Sequence, residues 1–249
     1  MISHIKLRAR ALQMQHRALF LGAFFVQSAA SLLLFAASVA AILFLRDFFR
    51  FFVPALCAFL RLCVTGAGSL GSALCCLALA QGREAKLSGF LSAFRGKTLF
   101  RAVASLLLSA AAQGVLGAVC SVPAAVLVFL LLHMLRRGFE RTAAILLFAG
   151  CVFAVCATLW LIFRLHILFL PRSFFLASGA GVRQSVRACF QIALCEQKQF
   201  LRFRRSFFGW FLLGVLLFPL PFVWSYFEQS RALLMQTLFP AVGKMKLAA

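Results

Sequence analysis

Acidic residues are nearly missing from this chain: five Asp and Glu stand against 26 Lys and Arg, a formal charge of +21 over 249 residues. Asp47, Glu84, Glu140, Glu196 and Glu228 are too far apart in sequence to suggest the paired carboxylates of acid–base chemistry. No H-E-x-x-H and no G-x-S-x-G occurs, which removes the usual signatures of zinc peptidases and serine hydrolases. The nine cysteines include no C-x-x-C pair, and His4, His16, His133 and His166 are far from one another. A zinc site needs ligands at short spacing, so these thiols are read as small apolar side chains. No catalytic, cofactor-binding or metal-ligating residue is expected, and no enzyme activity.

Charge is also missing locally. Residues 18–45, 62–82, 102–135, 142–163 and 206–227 contain no Asp, Glu, Lys or Arg. A helix rises about 1.5 Å per residue, so about 20 apolar residues cross the roughly 30 Å hydrocarbon core of a bilayer. With 64% hydrophobic residues and a mean hydropathy of +1.01, the composition agrees. The chain is expected to be all-α, a polytopic transmembrane helix bundle of five to six spans. Ser38-Val39-Ala40 mimics a signal-peptidase site, but the apolar run ahead of it is longer than a signal sequence uses, so the first span is expected to be retained.

The cations fall between the apolar runs, which makes phospholipid headgroups a better counter-charge than nucleic acid. Four precede the first run, and the successive connections carry three, five, three and eight. With the N-terminus cytoplasmic, the inner segments hold seventeen and the two outer connections six, as the positive-inside rule requires. The run 102–135, with Pro123 inside it, is therefore read as one long helix, since a hairpin would erase that asymmetry. Pro219 and Pro221 allow a turn followed by a return through Phe222–Phe239. The expected organisation is a basic cytoplasmic N-terminus (1–17), one transmembrane domain (18–239) and a short tail (240–249). Its spans lie near 18–45, 62–82, 102–135, 142–163, 206–218 and 222–239.

Two connections have helical amphipathic spacing. Leu87, Phe90, Leu91 and Phe94 recur among Lys86, Arg95 and Lys97. Further on, Gln184, Arg187, Gln191, Lys198, Arg202 and Arg205 line one face, with Val186, Phe190, Ala193 and Phe200 away from it and Glu196 as an exception. Such helices lie in the headgroup plane on the cytoplasmic side, or pack on protein with a solvated basic face. Arg187, Lys198, Arg202 and Arg205 are the candidate contacts to anionic phospholipid. Gly66, Gly68, Ser69, Gly71 and Ser72 form a small-residue patch read as packing within the bundle, as do Ala110, Gly114 and Ala118. Candidate intramembrane polar residues are Gln113, Glu228 and Arg231; the last two are three apart and able to neutralise each other on a helix.

Near the C-terminus, Ser206-Phe207-Phe208-Gly209-Trp210 resembles the Ser-Phe-x-Gly-Trp element of a family of bacterial integral membrane proteins known as domain of unknown function 975. That family is similar to the membrane domain joined to some glycerophosphodiester phosphodiesterases. Pro171 followed by Ser185, Gly82-Arg83-Glu84 leading to Phe90 and Phe94, Pro221-Phe222 and Ala232 extend the resemblance over roughly residues 60–235. Phe222 stands where the family has Tyr, and Leu233-Leu234 replaces its aromatic pair. The resemblance implies a six-helix bundle in the bacterial cytoplasmic membrane and no activity. The expected role is a non-catalytic membrane component in scaffolding, assembly or envelope homeostasis, acting on anionic lipid, with a membrane protein as a further candidate partner. A transporter or permease subunit is the alternative.

Overall fold

The computed structural model describes residues 2–136, 141–169, 171–210 and 220–238, and every regular element among them is a helix. In chain order these are α1 (Ile2–Gln15), α2 (Arg17–Phe44), α3 (Asp47–Ala80), α4 (Leu87–Ser92), α5 (Gly96–Arg136), α6 (Arg141–Leu168), α7 (Arg172–Ala177), α8 (Val182–Arg205) and α9 (Leu220–Leu238). Three stretches are long and apolar enough to cross a membrane: Arg17–Phe44, Phe48–Ala80 and Gly96–Val119.

Two compact units divide the chain. One takes residues 1–106 together with 171–249, and the other takes 107–170. The second is built from the later part of α5 and from α6, whose Val115, Val119, Phe129, Phe148 and Phe153 are exposed. Residues 102–135 lie within the single helix α5, with Pro123 inside it.

The first unit begins with a helical hairpin. Only Leu45 and Arg46 separate α2 from α3, so residues 47–61, expected to be mostly connection, are helix. Arg50 and Arg61 do not end the helix, because an exposed guanidinium on a long stem disturbs no backbone bond. The two helices run antiparallel: Ala23 packs with Cys75, Gln27 approaches Gly68, and Arg61 approaches Phe35.

Helix ends explain the sharp turns. Gly82 has φ +74°, and the Gly82 N–H donates to Leu79 O while the Arg83 N–H donates to Ala78 O. Gly179 closes α7 in the same way, at φ +94° with bonds to Leu176 O and from Ala180 to Phe175 O. Both are left-handed caps in which glycine avoids a Cβ clash.

The core of this unit forms around α9. Phe227 through Met235 are all buried, and nine consecutive residues cover more than two helical turns. Every side of α9 is therefore covered, with α1, α2 and α3 packed along it.

Candidate functional site

Each glycine of the small-residue patch on α3 serves a different neighbour. A Cβ on Gly66 would lie 3.4 Å from the Ala102 backbone, on Gly68 2.6 Å from the Gln27 side chain, and on Gly71 2.7 Å from Phe90 O. The patch thus packs α3 against α5, α2 and α4 within one chain. Gly114 and Gly209 have nothing within 4 Å of an added Cβ, so neither marks a close helix contact here.

That packing also changes the meaning of α4. Phe90 is fully buried against Ala23 and Cys75, with Leu19 and Phe94 beside it, while Leu87 and Leu91 are exposed. The helix docks one aromatic ring into protein and leaves two leucines outside.

Helix α8 keeps its basic face outward. Arg187, Lys198, Arg202 and Arg205 are exposed, whereas Ser185, Val186, Cys189, Phe200 and Phe203 are buried. Phe190, placed by spacing away from the cations, is 37% exposed. The side chains of Ala193 and Glu196 lie outside the described residues. The Gly181 N–H donates to Gln184 Oε1 at 3.1 Å, which satisfies one backbone donor at the start of the helix. Burial pushes the Cys189 thiol up to about 12, opposed by Arg172, whose own guanidinium is held down at about 10 by burial. Val186, Cys189, Phe200 and Phe203 of α8 are covered by protein, and its cations, with Phe190, face outward.

Other cations are used internally. Lys6 Nζ donates to Ser206 O at 2.6 Å and lies 4.4 Å from the Phe207 ring centroid; burial lowers its pKa. Arg8 reaches Ala80 O at 3.4 Å, and Arg101 reaches Ala180 O at 2.8 Å. Lys6 and Arg8 meet carbonyls at the C-terminal ends of α8 and α3, where the helix dipole is negative and backbone acceptors lack partners, and Arg101 meets the connection between α7 and α8. Gln13 binds α1 to α9, donating to Phe222 O at 2.8 Å and to Ser225 Oγ at 2.6 Å.

Glu228 and Arg231 form a buried ion pair at 2.6 Å, both side chains 6% exposed, as their spacing predicts. Their surroundings are protein: Arg231 lies 4.8 Å from the Phe174 ring centroid, and Gln229 Nε2 reaches Cys76 O at 3.4 Å. Cys76 is one turn from the end of α3. Gln113 is half-buried and belongs to the other compact unit, while the pair belongs to the first.

The sequence motif Ser206–Trp210 follows α8 directly. Phe207 is fully buried among Phe203, Tyr226 and Phe227, with ring centroids 5.0, 5.1 and 5.3 Å away. Trp210 is half exposed and meets Tyr226 edge-on at 6.1 Å. Sequence spacing alone did not show that Lys6, two hundred residues away, sits on this motif; the signal available was only that Lys6 belongs to a helix with apolar partners Ile5 and Ala9.

A slot lined by Leu70, Leu74, Thr98, Arg101, Leu176 and Ala177 has room for about one water. Among the described residues no three His, Cys, Asp or Glu side chains gather in a metal-binding group. Fold and surface together define a helical protein with at least three helices able to cross a bilayer and a cationic exterior on one of its helices. Comparison with protein-family models, curated proteins and solved structures finds no match to the chain.

Proposed function

We propose that this is a non-catalytic component of a bacterial cytoplasmic membrane, with its N-terminus in the cytosol, whose α8 engages anionic phospholipid through Arg187, Lys198, Arg202 and Arg205. One observation carries this: the four side chains are exposed together on a helix that buries Val186, Cys189, Phe200 and Phe203 in protein. Such a helix adheres by charge and does not insert. Near an anionic leaflet each basic residue contributes about 1 kcal/mol, so four acting together give a firm, salt-sensitive attachment.

The membrane anchor consists of the apolar helices α2, α3 and α5. The resemblance of Ser206–Trp210 to domain of unknown function 975 gives no reason to assign a reaction. Charge reversal of all four residues to Glu provides the test. In proteoliposomes of mixed phosphatidylglycerol and phosphatidylcholine, a fluorophore at Gln191→Cys should be quenched by brominated phosphatidylglycerol in preference to brominated phosphatidylcholine. The reversal should abolish that preference while leaving the melting temperature within a few degrees. Equal preference before and after reversal would reject the assignment.

A further inference from the structure

The two halves of α3 differ in what surrounds them. From Asp47 to Thr65 the helix is largely exposed, with Phe48, Phe49, Phe51, Phe52, Leu56 and Phe59 outward. From Gly66 onward it enters the protein interior, where Ala67, Leu70, Ala73, Cys76 and Leu77 are buried. The exposed half of α3 (Asp47–Thr65) is about 28 Å long at 1.5 Å per residue, which equals one hydrocarbon thickness. Its antiparallel partner α2 exposes Leu32, Leu33, Phe35, Leu43 and Phe44 on the stretch alongside it.

The cations on this arm bracket the same length. Arg46 and Arg50 lie at and just past the turn, and Arg61 lies one turn short of Gly66, all exposed. Long guanidinium stems let such residues reach headgroups from a few ångströms inside the hydrocarbon. Arg61 also lies 6.0 Å from the Phe35 ring centroid, so its stem has an aromatic surface to follow.

The buried half of α3 has the opposite company. Its last carbonyls meet Arg8, and α9 beside it is flanked by α1. Helix α1 turns Arg8 and Arg10 outward. A layer bordered by those exposed charges does not sit in hydrocarbon.

Resting on the membrane reading above, we propose that acyl chains contact the α2–α3 arm from its turn down to Thr65. The layer containing Gly66–Ala80 and α9 then lies outside the hydrocarbon, on the headgroup and aqueous side. This moves the second span from 62–82 to about 47–65, places Arg61 at the cap-side headgroups and Arg50 at the opposite ones, and makes α9 a core helix of a cap instead of a sixth span.

The test uses the full chain in phosphatidylcholine–phosphatidylglycerol vesicles with a nitroxide at Leu56→Cys or Ser88→Cys, in a background whose native cysteines are Ala or Ser. Should that background fail to fold, a nitroxide-bearing amino acid encoded at the same two positions replaces it. Collision with oxygen should exceed collision with a water-soluble nickel chelate at least fivefold at position 56, and the order should reverse at 88. A chelate-dominated signal at 56, with the protein retained in the vesicles through alkaline extraction, overturns the register while the membrane reading survives. A lipid-dominated signal at 88 overturns the placement of the cap. Loss of the protein from the vesicles at alkaline pH overturns the membrane reading itself, and the register with it.

Discussion

Lys6, Arg8 and Arg101 carry the same charge as Arg187 and Lys198 but end up in different places. The first three meet backbone carbonyls, two at helix ends and one in the α7–α8 connection, and the others face outward. A count of basic residues could not separate them, because the separation depends on which helix ends come within reach. Gly68 and Gly71 show a similar contrast. An added methyl at Gly68 meets the end of the flexible Gln27 side chain, whereas at Gly71 it meets Phe90 backbone and ring at 2.7 and 2.8 Å. Gly71→Ala should therefore destabilise the protein by about 1–3 kcal/mol, read as a lower melting temperature in detergent, and Gly68→Ala by clearly less. Equal effects would contradict the packing. The small residues were legible in the sequence as a packing patch; their separate partners were not, since nothing local in α3 names Ala102, Gln27 or Phe90. The pair Glu228–Arg231 was legible from its spacing, but its setting was not. Removing Arg231 alone leaves a buried carboxylate, and Arg231→Ala should cost about 3–5 kcal/mol. The double replacement Glu228→Leu with Arg231→Met should recover most of that loss. If single and double variants melt alike, the ion pair is not what the single change disturbs.

Helices differ in how plainly their sequences announce them. Helix α5 covers the charge-free run 102–135, and Pro123 does not divide it, because a proline costs one intrahelical bond and the rest of the ladder continues. The start of α3 was hidden by Arg46, Arg50 and Arg61, which look like a polar connection when charge is the only guide. Phe48, Phe49, Phe51 and Phe52 gave the contrary signal, and the helix follows them. Helix α4 has the spacing of an interfacial helix, yet Phe90 is fully buried in protein. Amphipathicity states that one face avoids water; it does not say whether lipid or protein covers it. Helix α8 buries Val186, Cys189, Phe200 and Phe203 in protein in the same way, and there Arg187, Lys198, Arg202 and Arg205 stay outward. Its packing also predicts chemistry. Cys189 is fully buried with its thiol pushed up to about 12, so at pH 8 the reactive thiolate is scarce. Alkylation of Cys189 by iodoacetamide should be absent from the folded chain and complete after denaturation, as read by peptide mass spectrometry. Rapid modification of the folded chain would show that α8 is not seated on its neighbours.

Over the entire chain, the deficit of acids and the distribution of cations carry most of what the molecule reveals. Lys and Arg flank the apolar helices and cluster on α1, the α4 region and α8, while the hairpin turns hold few. In the proposed orientation an anionic leaflet would attract the cluster, and the transmembrane field would resist moving it outward. Helices α2, α3 and α5 hold the stretches long and apolar enough to cross a membrane, and the covered α9 supplies a core with its own buried ion pair. The all-helical class followed directly from the length of the charge-free runs. Which apolar surface meets lipid did not, because burial by protein and burial by lipid select the same residue types. Sidedness is the central claim, and labelling of Arg187→Cys by a membrane-impermeant maleimide measures it most directly. Inverted membrane vesicles should label at this position and intact cells should not. Labelling in intact cells, with none added on inversion, would place the cationic face outside and contradict the account.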